Sequence, residues 1–139
     1  MLNGMRGAAS PTADDGTARV VSIVALDGRD DAALLALAAS LARGLETPAG
    51  AAIIESARER ELEIRPVDGF YHSTAMGLAA AVAGHTVVLG NAALFTELGI
   101  SIDTRGDWPE RLHRRGEHVL FVAIDGRTAG FIGVAEGKG

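Results

Sequence analysis

Two apolar runs separated by Asp125-Gly126, VLFVAI and RTAGFIGV, constrain this chain more than any other feature. An Asp-Gly pair accepts the positive φ angles of a type I′ turn, so the runs read as neighbouring antiparallel strands. Leu78 to Val82 and His85 to Leu89 repeat the pattern around Ala83-Gly84, and Val67 to His72 reads as a further strand. Arg19 to Leu26 (RVVSIVAL) is β-branched and apolar, the signature of an opening strand.

Helices occupy two separate stretches. Asp30 or Asp31 caps a helix carrying Leu34, Leu37, Ala38, Leu41 and Leu45 at helical spacing. Thr47-Pro48 starts a second, a hydroxyl cap followed by proline at the first helical position. Its apolar face is slim, Ala49, Ala52, Ile53 and Ala57, and Arg58 to Glu63 reads as its solvated end with i,i+4 pairing. Asn91 caps a short helix from Ala92 to Leu98 closed by Gly99, and Trp108 to Arg115 is another, ending at Gly116. Trp108 is expected to anchor its loop to the sheet. Segregated helices and hairpin-linked strands predict an α+β fold, an antiparallel sheet of about six strands flanked by helices.

Composition narrows the function. With 139 residues, 47% of them apolar, the chain suits one core. The net charge is −5 and no Lys/Arg cluster carries interleaved aromatics, which argues against a nucleic-acid surface. No cysteine is present, so disulfides and thiolate metal ligands are excluded. His72, His85, His113 and His118 lack paired ligand spacing, and no metal site is expected. The longest apolar stretch, Ala32 to Ala42, spans roughly half of the ~20 residues that a membrane helix needs. Met1 to Thr17 mixes small and polar residues without period and reads as a flexible lead-in to a domain at 18–136. A monomer is expected.

Four strings, in this order, resemble the nucleotide-binding domain of copper- and other heavy-metal-transporting P-type ATPases. LLALAASLARGLETPAGAAI is similar to the stretch around the family's Ser-Glu-His-Pro signature, and FYHSTAMGL to its Pro-Gly-x-Gly-Val loop. TVVLGNAALFTELGI resembles the Leu-x-Gly-Asn motif with its helix, and HVLFVAIDGRTAGFIGVAE the closing hairpin. The resemblance covers about Arg19 to Val134. It implies a domain on the cytoplasmic face that holds ATP, as Mg-ATP in the intact pump. Such a domain presents the γ-phosphate to an aspartate of the phosphorylation domain, with the actuator domain as a further partner. Residues 137–139 would then be a tail or hinge toward the phosphorylation domain. The phosphorylated Asp-Lys-Thr-Gly-Thr motif does not occur in this sequence.

Position by position, the resemblance implies an altered site. The family's histidine and glutamate, which hold adenine, fall at Thr47 and Ala42; Glu46 and Pro48 match the signature's other residues. The first loop glycine falls at Ala75 and the second is Gly77, while Gly90-Asn91 is intact. The implied nucleotide-binding residues are Glu46, Thr47, Gly77, Gly90 and Asn91. Simpler readings stand beside these: Thr47 as a helix cap, which its place before proline favours; Asn91 as a cap; Gly77 as a strand-entry glycine. Losing two base contacts of ~1 kcal/mol each would weaken binding roughly 30-fold. Glu46-Thr47-Pro48 with Gly50 also resembles the potassium-importing Kdp-type P-ATPases, which stack adenine on an aromatic ring. Phe70 or Tyr71 would supply that ring, and strand alternation permits only one of them to face the cleft. The other class of reading is a pseudo-nucleotide domain serving as a structural or regulatory interaction module.

Overall fold

The computed structural model describes residues 15–45, 47–67, 69–74, 76–102 and 105–138. In chain order the elements are β1 (Asp15–Ala25), α1 (Asp31–Ala42), α2 (Pro48–Glu59), β2 (Phe70–Thr74), β3 (Gly77–Val82) and β4 (His85–Gly90). There follow α3 (Ala92–Leu98), a single 3₁₀ turn (Arg105–Asp107), α4 (Trp108–Arg114), β5 (His118–Ile124) and β6 (Arg127–Lys138). The six strands form one sheet ordered β1-β6-β5-β4-β3-β2, antiparallel at every pairing. The expected α+β architecture is the one observed.

Local chemistry sets these boundaries. Ala83 and Gly84 turn with φ of 51° and 84°, and Asp125 and Gly126 with 53° and 84°, the left-handed pair that a type I′ hairpin requires. Asp30 caps α1, its carboxylate accepting from the Ala33 N–H at 3.1 Å. Gly99 closes α3 in the left-handed conformation, φ 75°.

The sheet is covered on both faces. α1 packs on α2, β1, β3, β4 and β6, and α2 on β1. These helices bury Leu34, Leu35, Leu41 and Ile53 against Leu89, Val122 and Ile132. On the opposite face α3 and α4 bring Leu94, Phe95 and Leu112 onto Val119, Phe121 and Phe131. Phe121 meets Phe95 and Phe131 edge-on, with ring centroids 5.4 and 5.2 Å apart. Trp108 packs against this second core, and the Arg111 guanidinium lies 3.9 Å over its ring.

Four expectations change. β1 takes in residues 15–17 and β6 runs to Lys138, with Asp15 paired to Lys138 where a lead-in and a tail were expected; residues 1–14 and 139 lie outside the described residues. β2 begins at Phe70, because the chain from Leu62 to Val67 is spent covering the first core with Leu62, Ile64 and Val67 rather than pairing. α2 stops at Glu59, where Glu61 reverses the chain at φ 57° and the Leu62 N–H returns to the Ala57 carbonyl. Arg60 to Glu63 are thus off the helix, and the ion pair in this stretch is Glu63–Arg65 at 3.6 Å, not an i,i+4 pair. Leu45 lies beyond the end of α1, and Leu35 takes a core position that the expected stripe omitted.

Candidate functional site

A cleft of about 500 Å³ opens where the N-terminus of α2 overhangs one end of the sheet. Leu45, Thr47, Pro48 and Ala49 form the overhang, Met76 and Asn91 one wall, and Gly116, His118, Leu120, Val134 and Glu136 the floor and opposite wall. Residues far apart in sequence meet here because α2 starts above the strand ends that β3, β4, β5 and β6 place side by side.

Gly77 and Gly90 shape this cleft from behind. They face each other across β3 and β4, and the Asn91 N–H donates to the Met76 carbonyl at 3.0 Å. Gly77 has φ 146°, and a Cβ there would collide with the Leu89 carbonyl oxygen and sit 2.5 Å from Gly90 Cα. A Cβ on Gly90 would meet the Met76 carbonyl oxygen at 2.6 Å. Neither glycine lines the cleft; together they hold Met76 and Asn91 at its wall.

The two polar side chains brought together by this arrangement are both helix caps. Thr47 Oγ1 accepts from the Gly50 N–H at 3.1 Å, and Asn91 Oδ1 from the Leu94 N–H at 2.9 Å. Each cap fixes its side chain's direction and leaves a donor: the Thr47 hydroxyl proton and the Asn91 amide NH₂. Ala42, at the end of α1, is 1% exposed and belongs to the first core. A glutamate at this position would start from a buried Cβ.

No protein-family model matches the chain. It is 37% identical over 125 residues to a copper-transporting P-type ATPase of Rhizobium leguminosarum bv. viciae, covering 90% of this chain and 15% of the relative. It is 30% identical, with the same coverage, to a silver-exporting P-type ATPase of Salmonella typhimurium. The chain therefore spans about 15% of the length of these curated relatives. Among solved structures, the crystallised N-domain of a copper-transporting P-type ATPase superposes with a TM-score of 0.68 at 20% identity, over 82% of this chain and 97% of that one. This is the N-domain fold of copper-transporting P-type ATPases. The crystal structure of a zinc-transporting PIB-type ATPase contains it too, with a TM-score of 0.70 at 24% identity over 88% of this chain and 20% of that chain.

Within this N-domain fold, Thr47 and Asn91 share one cleft, with Gly77 and Gly90 directly behind it. Glu46 and Ala75 lie outside the described residues, as do the side chains of Phe70 and Tyr71. The backbone of Phe70 pairs with Ala80, three residues along β3 from Gly77, and a register shift falls between Phe70 and His72. His118 and Glu136 line the same cleft, although from the sequence His118 was weighed only as a metal ligand and Glu136 was not named. The signal was indirect: His118, Leu120, Val122 and Ile124 alternate onto the helix-covered face of β5, and the first of them emerges where that cover ends.

Proposed function

We propose that this chain is the ATP-binding domain of a heavy-metal cation-transporting P-type ATPase, standing on the cytoplasmic face of the membrane. The observation that carries this is the convergence of Thr47, Met76 and Asn91 on one cleft of nucleotide size, in an N-domain fold. A similar solved structure, the catalytic domain of a CPx-ATPase, is described as changing conformation upon nucleotide binding. ATP enters as Mg-ATP, and the domain offers its γ-phosphate to an aspartate on a phosphorylation domain, with an actuator domain completing the pump. The adenine side is degenerate at Ala42 and Thr47, so affinity is weak and the domain works at millimolar ATP. Titration of the ¹⁵N-labelled chain with ATP tests this. Amide shifts concentrated at Thr47, Met76, Gly77, Gly90 and Asn91 are expected; none at millimolar ATP would sink the proposal.

A second reading, a pseudo-nucleotide domain acting as an interaction module, draws on the burial of Ala42 and the capping duty of Thr47. The Kdp-like Thr-Pro belongs to the same question, since a cap alone explains why a hydroxyl precedes Pro48. The double change Ala42→Glu, Thr47→His separates the readings. The pseudo-domain reading expects no nucleotide response from wild type. Strong ATP binding gained by the double variant means an intact scaffold with a merely degenerate site, and wild type that binds as well means the substituted positions were never limiting.

A further inference from the structure

We propose that His118 and Glu136 read the purine base in this chain, taking over from the opposite wall the duty that Ala42 and Thr47 lack. The inference rests on the ATP-binding reading above and adds to it where the base lies.

His118 and Glu136 stand on adjacent strands and the same face. His118 is the Cα partner of Val134, and Glu136 follows two residues along β6. Diagonal neighbours of this kind lie about 7–8 Å apart, a spacing that aromatic and long side chains bridge. Both are exposed and both line the cleft. The floor beside them is apolar: Val134 lies directly opposite His118 and Leu120 one alternation further along β5, and Leu45 lines the same cleft. An imidazole beside an apolar floor is a stacking surface for a flat heterocycle. A carboxylate at its edge accepts from the exocyclic amine of adenine.

Charge decides the orientation. The Glu136 carboxylate opposes phosphate at this end of the cleft, while the Asn91 amide, on the wall toward β3 and β4, has a donor to offer. Base at β5 and β6 with phosphates toward Asn91 satisfies both.

The test is titration of the whole chain and its variants with ATP, adenosine, purine riboside and inorganic tripolyphosphate, with folding checked from the amide spectrum. His118→Ala should weaken ATP and adenosine alike by about 5- to 10-fold, and His118→Phe, which keeps a ring, should retain most of the affinity. Glu136→Ala should weaken adenosine but leave purine riboside, which has no amine, unchanged. If His118→Ala weakens tripolyphosphate and spares adenosine, the histidine serves the phosphates and the proposal fails. Unchanged dissociation constants for both variants also overturn it, while the ATP-binding reading stands. Wild type that binds neither ATP nor adenosine at millimolar concentration removes that reading and this one together.

Discussion

Gly77 shows what a single side chain would cost. Its φ of 146° is open to glycine, and any Cβ would press on the Leu89 carbonyl and on Gly90 from closer than van der Waals contact. Gly77→Ala should therefore lose about 3 kcal/mol, strain and overpacking combined, read as a lower urea midpoint. Glu117 poses the opposite problem, a carboxylate with too few partners. Its side chain is 4% exposed; Oε2 pairs with Arg115 at 2.9 Å, and Oε1 is buried against Gly133 without a hydrogen bond. Arg115 is 59% exposed and also donates to Ser22 Oγ at 3.0 Å. The two ends of the pair should thus behave unequally. Arg115→Met leaves a buried carboxylate unsatisfied and should cost about 2 kcal/mol, whereas Glu117→Met leaves an arginine in water and should cost less. Equal losses in chemical denaturation would contradict this. The sequence shows the glycine but not its neighbours, and Glu117 reads there as an ordinary polar residue before a strand.

At the scale of elements, the sheet end remote from the cleft is held by one exposed carboxylate. Asp125, in the β5–β6 turn, accepts from the Thr86 N–H at 3.0 Å and contacts His85 Nδ1 at 2.8 Å, joining that turn to the start of β4. The His85 hydrogen bond, then the Thr86 N–H, holds its carboxyl below the usual 3.8. A depressed folded pKa stabilises fully above the unfolded value, and this is lost as pH falls through the folded one. The stability difference between wild type and Asp125→Asn should accordingly shrink as pH falls below about 4. A difference that keeps growing below that pH would refute the clamp. The hairpin turns were legible because Asp-Gly and Ala-Gly impose their own geometry. β2 was legible as a strand but its start was not, since Val67 is drawn onto the first core beside Leu62 and Ile64, an outcome set by tertiary packing.

At the scale of the whole molecule, six antiparallel strands between two helix layers bring together residues that no local pattern associates. Order along the chain was readable from the motifs, and Thr47, Gly77, Gly90 and Asn91, which the motifs named, come together at one cleft and directly behind it. The opposite wall was not, because His118 and Glu136 meet α2 only after β5 and β6 have paired in the middle of the sheet. That wall also bears on turnover. Phosphoryl transfer needs an in-line acceptor and cations that neutralise the equatorial oxygens. Among the described residues the cleft is lined by no lysine or arginine, and its formal charge is the Glu136 carboxylate. The sequence carries no Asp-Lys-Thr-Gly-Thr acceptor. With saturating Mg-ATP, the isolated chain should therefore release phosphate at the rate of the buffer alone and take no label from γ-³²P-ATP, even while its amide spectrum reports nucleotide. Acid-stable or acyl-phosphate labelling of the chain would place an acceptor within it and overturn the proposal that it holds nucleotide for chemistry done elsewhere.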